Sequence, residues 1–577
     1  MHYEAPLDDI RFALRSAAAL DAAAVEEADE VLRMAARLCE REIAPGNRAA
    51  DVEGAACIAG TVRVPQEIVR SWKAFAYGGW IGLHAPDAYG GQGLPKPVQA
   101  AVTEMLNASN LALGSGLLLC EGAIEALLIA GSPAQKDKYL PHLVRGTWSG
   151  TMNLTEPQAG SDLSQIRTMA TPDGDRWRLR GQKLFITFGE QDFTENILHF
   201  VLARTPGAPQ GIKGISLFAV PKFLAHSAGQ QAVRNDIRCV SIEHKLGIRA
   251  SPTCLLAFGE GEGAVGELVG ELHRGLDTMF LMMNAARFTV GVQGIGIAER
   301  AYQAALAHAG ERVQGKPSGW KEAGTPAIVH HPDVRRLLMT ITAQVQASRA
   351  LAFYVARCVD AADESDRAIA DFLVPVHKGH ATELAVELCS MALQVFGGMG
   401  FVEDTGVAQY YRDARILPIY EGTTAIQAND LVGRKTLRDG GKVAQRLLLT
   451  MREDAVRLQC SSVHVVAQGG VALMRALAHV ESALTWMLET ASQPQAAYAA
   501  SVPFLRLVGH AAGAWQMARA MELAAAEGAA GTLDARFASA KVAAARFYLS
   551  WIAPQCAALA EVIAGGPAAL FTSGDLA

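Results

Sequence analysis

The stretch "LTEPQAGSDLS", Leu154 to Ser164, marks the point where the texture of the chain changes. Before it, "AAAVEEADEVLRMAARLCEREIA" (Ala22 to Ala44) and "VQAAVTEMLNASNLAL" (Val98 to Leu113) repeat apolar residues at helical spacing with charges opposite. "DAYGGQGLP" between them reads as a loop by its Gly and Pro content. After it come "DRWRLRGQKLFIT", "ENILHFVLAR", "GISLFAVPK", "CVSIEH" and "CLLAFG", short, rich in β-branched and aromatic residues and separated by turn residues. These read as strands of a sheet or barrel ending near Glu271. Helices resume at "GLDTMFLMMNAARFTVGVQGIGIAERAYQ" and continue to about Gly433. A loop, "RKTLRDGGK", leads into a last alanine-rich helical region, Val443 to Ala577. The order is helical, strand-rich, helical, extra helical.

The length of 577 residues suggests three or four domains, and half of them are hydrophobic, enough for sizeable cores. Net charge is −6 and the final region balances its acids and bases, so nothing points to nucleic acid. The nine cysteines form no CxxC pair, which suggests free thiols in a reducing cytosol and neither a metal site nor a disulfide framework. The start, "MHYEAPLDDIRFAL", has no apolar core of a signal peptide. Uninterrupted apolar runs fall short of the ~18 residues that a membrane span needs, so no span is expected.

Several stretches could carry chemistry. "LTEPQAGSDLS" offers hydroxyls at Thr155, Ser161 and Ser164 and a small-residue turn; it could cradle a polar ring edge or a phosphate, or simply link domains. Phe185 and Thr187 lie two apart in a strand and should share a face, able to hold a flat cofactor or merely to fill a core. Arg312 in "ERVQGK" either complements a helix C-terminus or contacts a phosphate. "LQVFGGMGF" puts three glycines in four positions, for a sharp bend or for close approach to a ligand. "IYEGTTAIQ", Ile419 to Gln427, sets one carboxylate between an aromatic ring and a glycine. Either Glu421 caps the helix that follows, or its carboxylate is kept partly dry for a reason.

Taken in order, "LTEPQAGSD", "GQKLFIT", "KLGIRASPT", "MNAARFTVGVQG", "ERVQG", "QVFGGMGF" and "YRDARILPIYEGTTAIQ" resemble the acyl-CoA dehydrogenase family. "YEAPLDDIRFAL", "FTENILHFVLARTPGAPQGIKGISLFAVPK" and the extra C-terminal region resemble its long subfamily, which includes 3-methylmercaptopropionyl-CoA dehydrogenase. The resemblance implies a mainly α protein with a β-barrel-like middle domain and a four-helix bundle, here followed by an extra helical domain. The expected divisions are residues 1–150, 151–272, 273–437 and 438–577.

It further implies FAD-dependent α,β-dehydrogenation of an acyl-CoA thioester to the 2-enoyl-CoA. Glu421 then matches the general base. An exposed Glu titrates near ~4.3, and partial desolvation should raise that value toward the working pH. Thr155 and Thr187 match hydroxyls on the flavin ring, Phe185 an aromatic that covers it, and Ser161 a residue near the flavin phosphate and the CoA entrance. Arg312 and Gln314 match contacts to the FAD of a neighbouring subunit, and Gln394, Gly397 and Gly398 contacts on its adenosine side. Thr423 matches a contact just after the base, and Arg287 an arginine near CoA. Implied partners are an electron-transferring flavoprotein and a second copy of the chain, in cytoplasmic fatty acid metabolism. Two alternatives stay open: an acyl-CoA oxidase that uses oxygen, and a DNA-binding flavoprotein of the same fold.

Overall fold

A computed structural model describes residues 2–224 and 232–572. The last five residues of the extra helical region lie outside them. By packing, the chain forms two compact units: Arg37–Leu94 with Ser109–Thr289, and Met1–Ala36 with Pro95–Ala108 and Val290–Ala577.

The first unit contains an eight-stranded sheet. Its strands are β1 (Trp148–Asn153), β2 (Met169–Asp173), β3 (Arg176–Thr187), β4 (Asn196–Arg204), β5 (Ile215–Pro221), β6 (Ile237–Ile242), β7 (Thr253–Phe258) and β8 (Ala264–Val269). The hydrogen-bonded order is β6-β7-β3-β8-β5-β4-β1, and β2 pairs with both β3 and β4. Pairing therefore closes a ring through β3, β8, β5, β4 and β2, which is the barrel-like element expected. Leu179, Val201 and Phe218 of ring strands and Leu256 and Phe258 of β7 are all buried in one hydrophobic core cluster. β4 and β5 read as continuous apolar runs because both of their faces are covered. Gly181 allows a close approach: a Cβ there would stand 2.8 Å from the Cα of Thr168. β2, β8 and the hairpin Ala56–Ile58/Thr61–Arg63 are strands that the sequence patterns did not single out. They are short, and only their pairing partners make them strands.

The helix Leu111–Ala130 packs on β1 through Gly150, where a Cβ would lie 2.5 Å from the Cβ of Ala123. It starts at Asn110, whose side chain accepts a hydrogen bond from the N–H of Leu113 at 3.0 Å. Together with Glu364–Phe401 and Ala535–Leu570, this helix is long and apolar enough to cross a membrane by length and composition; 78% of its apolar window is buried inside the protein. The sequence expectation rested on uninterrupted apolar runs, and in this helix Glu121 and Glu125 break the run.

The second unit is helical among its described residues. Pro332–Asp360 and Glu364–Phe396 form a hairpin, and the extra C-terminal helices pack on it through Ser501–Ala530. Arg349 lies at the centre of a buried charge cluster. Its Nε donates to both oxygens of Glu104 at 2.9 and 3.0 Å, its Nη2 donates to Glu299 at 2.9 Å, and its Nη1 pairs with Asp9. Lys541 of the extra region also pairs with Asp9 and donates to Gln346 at 3.0 Å. The N-terminal helix Leu7–Ser16 and the extra region thus share one ionic anchor. Removing Arg349 would strand buried carboxylates at Glu104 and Glu299, the costly way to break such a cluster.

Candidate active site

In the helical unit, residues 416–424 form a tight turn. Ile416 O accepts from the N–H groups of Ile419 (2.9 Å) and Tyr420 (3.1 Å), and Pro418 O accepts from Thr424 N–H (3.0 Å). Glu421 has φ +52° and Gly422 φ +89°. Left-handed backbone costs a non-glycine residue about 1–2 kcal/mol. Such strain persists only where the surroundings over-determine it, and it concentrates at functional sites.

The surroundings are specific. Lys378, buried on the helix Glu364–Phe396, donates from Nζ to Leu417 O (2.9 Å) and Gly422 O (2.7 Å). Gln427 Nε2 donates to Glu421 O (3.3 Å) and Gly422 O (3.2 Å). The Tyr420 hydroxyl donates to Gln293 Oε1, Gln293 Nε2 to Asn107 Oδ1 (3.0 Å) and Asn107 Nδ2 to Thr103 O (2.8 Å). Burial, then the neighbouring charge of Glu421, pushes the Tyr420 hydroxyl far up, so it stays a donor. Glu421 itself is half-buried. It does not cap the next helix. Thr423 does, its Oγ1 accepting from Ile426 N–H at 3.3 Å. The capping alternative for Glu421 is thereby removed.

Elsewhere in the same unit, Arg312 and Gln314 are exposed beyond the end of the helix Gly275–Glu311. Gln314 O accepts from His331 Nε2 at 2.9 Å. His308, one turn before Arg312, stacks on Phe396 with ring centroids 4.2 Å apart. That contact brings the Arg312 segment beside the glycine turn. Burial, then the charge of Arg312, lowers the His308 pKa. Gln394, Gly397 and Gly398 are exposed there. Gly397 has φ +60°, and a Cβ on either glycine would meet nothing within 4 Å. The chain's own packing does not require Gly398, so the space it leaves lies open to another molecule.

In the sheet unit, the loop before β2 is pinned by a residue that the sequence reading passed over. Glu156 is buried and accepts from Lys183 Nζ (2.8 Å), Thr168 Oγ1 (2.6 Å), Thr168 N–H (3.1 Å) and Arg167 N–H (2.7 Å). Burial alone would raise its pKa; Lys183 and the other donors outweigh that and hold it at about 2. Lys183, pushed down to about 8 by burial against the pull of Glu156, also donates to Leu154 O at 3.0 Å. Leu184 N–H donates to Thr155 O at 2.9 Å. These bonds fix Thr155 against β3. Both members of the pair sit inside stretches already quoted, but nothing in their spacing announces the contact.

Phe185 is placed by a β-bulge rather than by plain alternation. Lys183 faces Leu256 and Ile186 faces Cys254, so two residues of β3 oppose Leu255 alone. Phe185 takes φ +61° and is 58% exposed, Ile186 is buried, and Thr187 is half-buried. Among the described residues, no side chain pairs with the hydroxyl of Thr155 or Thr187. An exposed aromatic face with two free hydroxyls beside it fits a flat, polar-edged ring such as a flavin. Ser161 is exposed on its loop, and Arg287 is buried, its Nη1 donating to Asn284 Oδ1 at 3.2 Å.

Four family models match the chain in order: the acyl-CoA dehydrogenase N-terminal domain over residues 25–147, its middle domain over 151–260, its C-terminal domain over 273–435, and an acetyl-CoA dehydrogenase C-terminal-like domain over 451–573. The chain belongs to the acyl-CoA dehydrogenase family. It is 47% identical to 3-methylmercaptopropionyl-CoA dehydrogenase of Ruegeria pomeroyi, over 97% of each chain. It is 38% identical to the broad-specificity linear acyl-CoA dehydrogenase FadE5 of Mycobacterium tuberculosis, over 87% of this chain and 86% of that one. Among solved structures, Caenorhabditis elegans ACDH-11 in complex with C11-CoA shares the fold, with a TM-score of 0.78 at 21% identity over 95% of this chain and 91% of that one. As a member of the family, the protein is an oxidoreductase acting on the CH–CH bond of an acyl-CoA thioester, with FAD as cofactor.

Proposed function

We propose that Glu421 is the general base of this acyl-CoA dehydrogenase. The observation that carries the proposal is its half-buried, left-handed position in a turn held from three sides, with the cap supplied by Thr423 instead. Its carboxylate takes the proton from Cα of the thioester while the β-hydrogen leaves with its electron pair, and a Cα–Cβ double bond forms. When bound, FAD supplies the acceptor for that hydride. Gly422 lets the backbone approach the substrate closely.

In this proposal Phe185 covers the flavin ring, Thr155 and Thr187 hydrogen-bond its edge, and Ser161 lies near its phosphate and the CoA entrance. Arg287 serves the CoA side. Arg312, Gln314, Gln394, Gly397 and Gly398 hold the adenosine side of a cofactor shared across a homodimer, and Thr423 contacts it beside the base. Exposed Phe401 (92%) and Met399 (54%) beside the glycine turn support a covering second copy, since large apolar side chains in one patch favour an interface. An electron-transferring flavoprotein takes the electrons onward. A cytoplasmic role in acyl-CoA breakdown fits this chemistry. The extent of the Ruegeria pomeroyi likeness supports short acyl groups as substrates, a methylthio-substituted propionyl group among them.

The test is anaerobic flavin bleaching with a panel of acyl-CoA thioesters, wild type beside Glu421→Gln. The variant should stay yellow and bind thioester but lose about 10²–10⁴-fold in reduction rate. Wild-type bleaching by the variant would remove Glu421 from the mechanism. Peroxide release in air without a flavoprotein acceptor would instead mark an oxidase.

A further inference from the structure

We propose that Lys378 is a positioning residue for the oxidation, holding the turn that presents Glu421; the proposal rests on the reading of Glu421 as base. Lys378 Nζ bonds two carbonyls, Leu417 O at 2.9 Å and Gly422 O at 2.7 Å. These two oxygens bracket the segment that contains Glu421. Tying both to one buried nitrogen fixes the span between them and so restrains the turn in which the strained backbone of Glu421 sits. Gln427 reinforces the second attachment through Gly422 O and adds one at Glu421 O.

The nitrogen is itself held. Lys378 is fully buried, and a lysine seldom is without partners that fix it. The next residue, Gly379, lies so close to the extra C-terminal region that a Cβ there would stand 2.7 Å from Leu505 Cδ1 and 3.5 Å from Gln427 Cβ. Ser501 Oγ donates to Asn429 Oδ1 at 3.0 Å, at the end of the helix Thr424–Asn429 that follows the turn. The extra region thus packs on both elements that meet at the turn: the helix carrying Lys378 and the helix carrying Gln427. Its contribution to the reaction is rigidity of the base, delivered through Lys378.

The test uses the full-length holoenzyme with Lys378→Met, which keeps much of the length and removes the donors. Per bound flavin, the anaerobic reduction rate at saturating acyl-CoA should fall about 10- to 100-fold, because small misplacement of a reacting group is that costly. The apparent Kd for acyl-CoA should change by less than about threefold, since the loss falls on the reacting geometry. Amide hydrogen exchange should accelerate in residues 417–424 while the helix Glu364–Phe396 keeps its protection. A folded, FAD-loaded Lys378→Met that reduces at the wild-type rate overturns the proposal. So does a rate loss that tracks only loss of folded protein. If Lys378→Met does not fold, Lys378→Gln is read in the same way. Glu421→Gln separates the two readings. If it is inactive while Lys378→Met is normal, only the positioning role fails; if it reduces flavin normally, the base assignment fails first.

Discussion

Glu156 and Lys183 form an ion pair closed to solvent, with Oε1 and Nζ 2.8 Å apart and both side chains almost wholly buried. The pair ties the loop bearing Thr155 to the strand bearing Phe185, two elements that the sequence places some thirty residues apart. Its charge state therefore bears on the flavin-facing surface as well as on stability.

That pair predicts an acid-sensitive stability. The folded carboxyl of Glu156 titrates at about 2, below its ordinary 4.5. A lowered value in the folded state means a contribution present above pH 4.5 and lost as pH falls toward 2. Urea unfolding between pH 6 and 2 should show that loss. Glu156→Gln should flatten it and, by leaving Lys183 buried without its counter-charge, should cost about 3–5 kcal/mol at pH 7. Identical acid profiles for the two proteins would mean that Glu156 does not titrate between these values.

Phe185 should separate cofactor binding from folding. A core aromatic lost to alanine costs about 3–5 kcal/mol. Phe185 is exposed and strained. Phe185→Ala should therefore leave apoprotein stability within about 0.5 kcal/mol, the scale of ordinary surface changes. FAD retention on gel filtration should nevertheless fall. Unchanged retention would assign the flavin cover to another residue.

Arg312→Ala should lower FAD retention, more at high salt, by removing a charge-assisted contact to a phosphate. Retention should also fall on dilution if the contact crosses between two copies. A monomer with full FAD occupancy, measured by light scattering with flavin absorbance, would sink the shared-site arrangement.

Thr423→Ala and Glu421→Gln should have opposite signatures. The first removes an N-cap and should cost about 0.5–2 kcal/mol. The second removes no cap and should leave the thermal midpoint near wild type while the reduction rate collapses. A large drop in midpoint for Glu421→Gln would show that the carboxylate has a structural role after all.

The sequence by itself determined the order of helical and strand-rich regions, because periods of 3.6 and 2 are local properties of the chain. It also determined the motifs at Thr155, Phe185, Arg312, Gly397 and Glu421, since each is a contiguous run. Only the tertiary structure decided how those runs are used. The β-bulge at Phe185 depends on register with Leu255 across a strand gap, and register is a property of pairing. The choice of Thr423 over Glu421 as cap depends on backbone angles that two oxygen-bearing side chains two positions apart do not reveal. Lys183 with Glu156, Lys378 with Gly422 and Arg349 with Asp9, Glu104 and Glu299 join residues from 27 to 340 positions apart. No window along the chain holds both partners, so burial of one charge could not be matched to its counterpart until the fold brought them together.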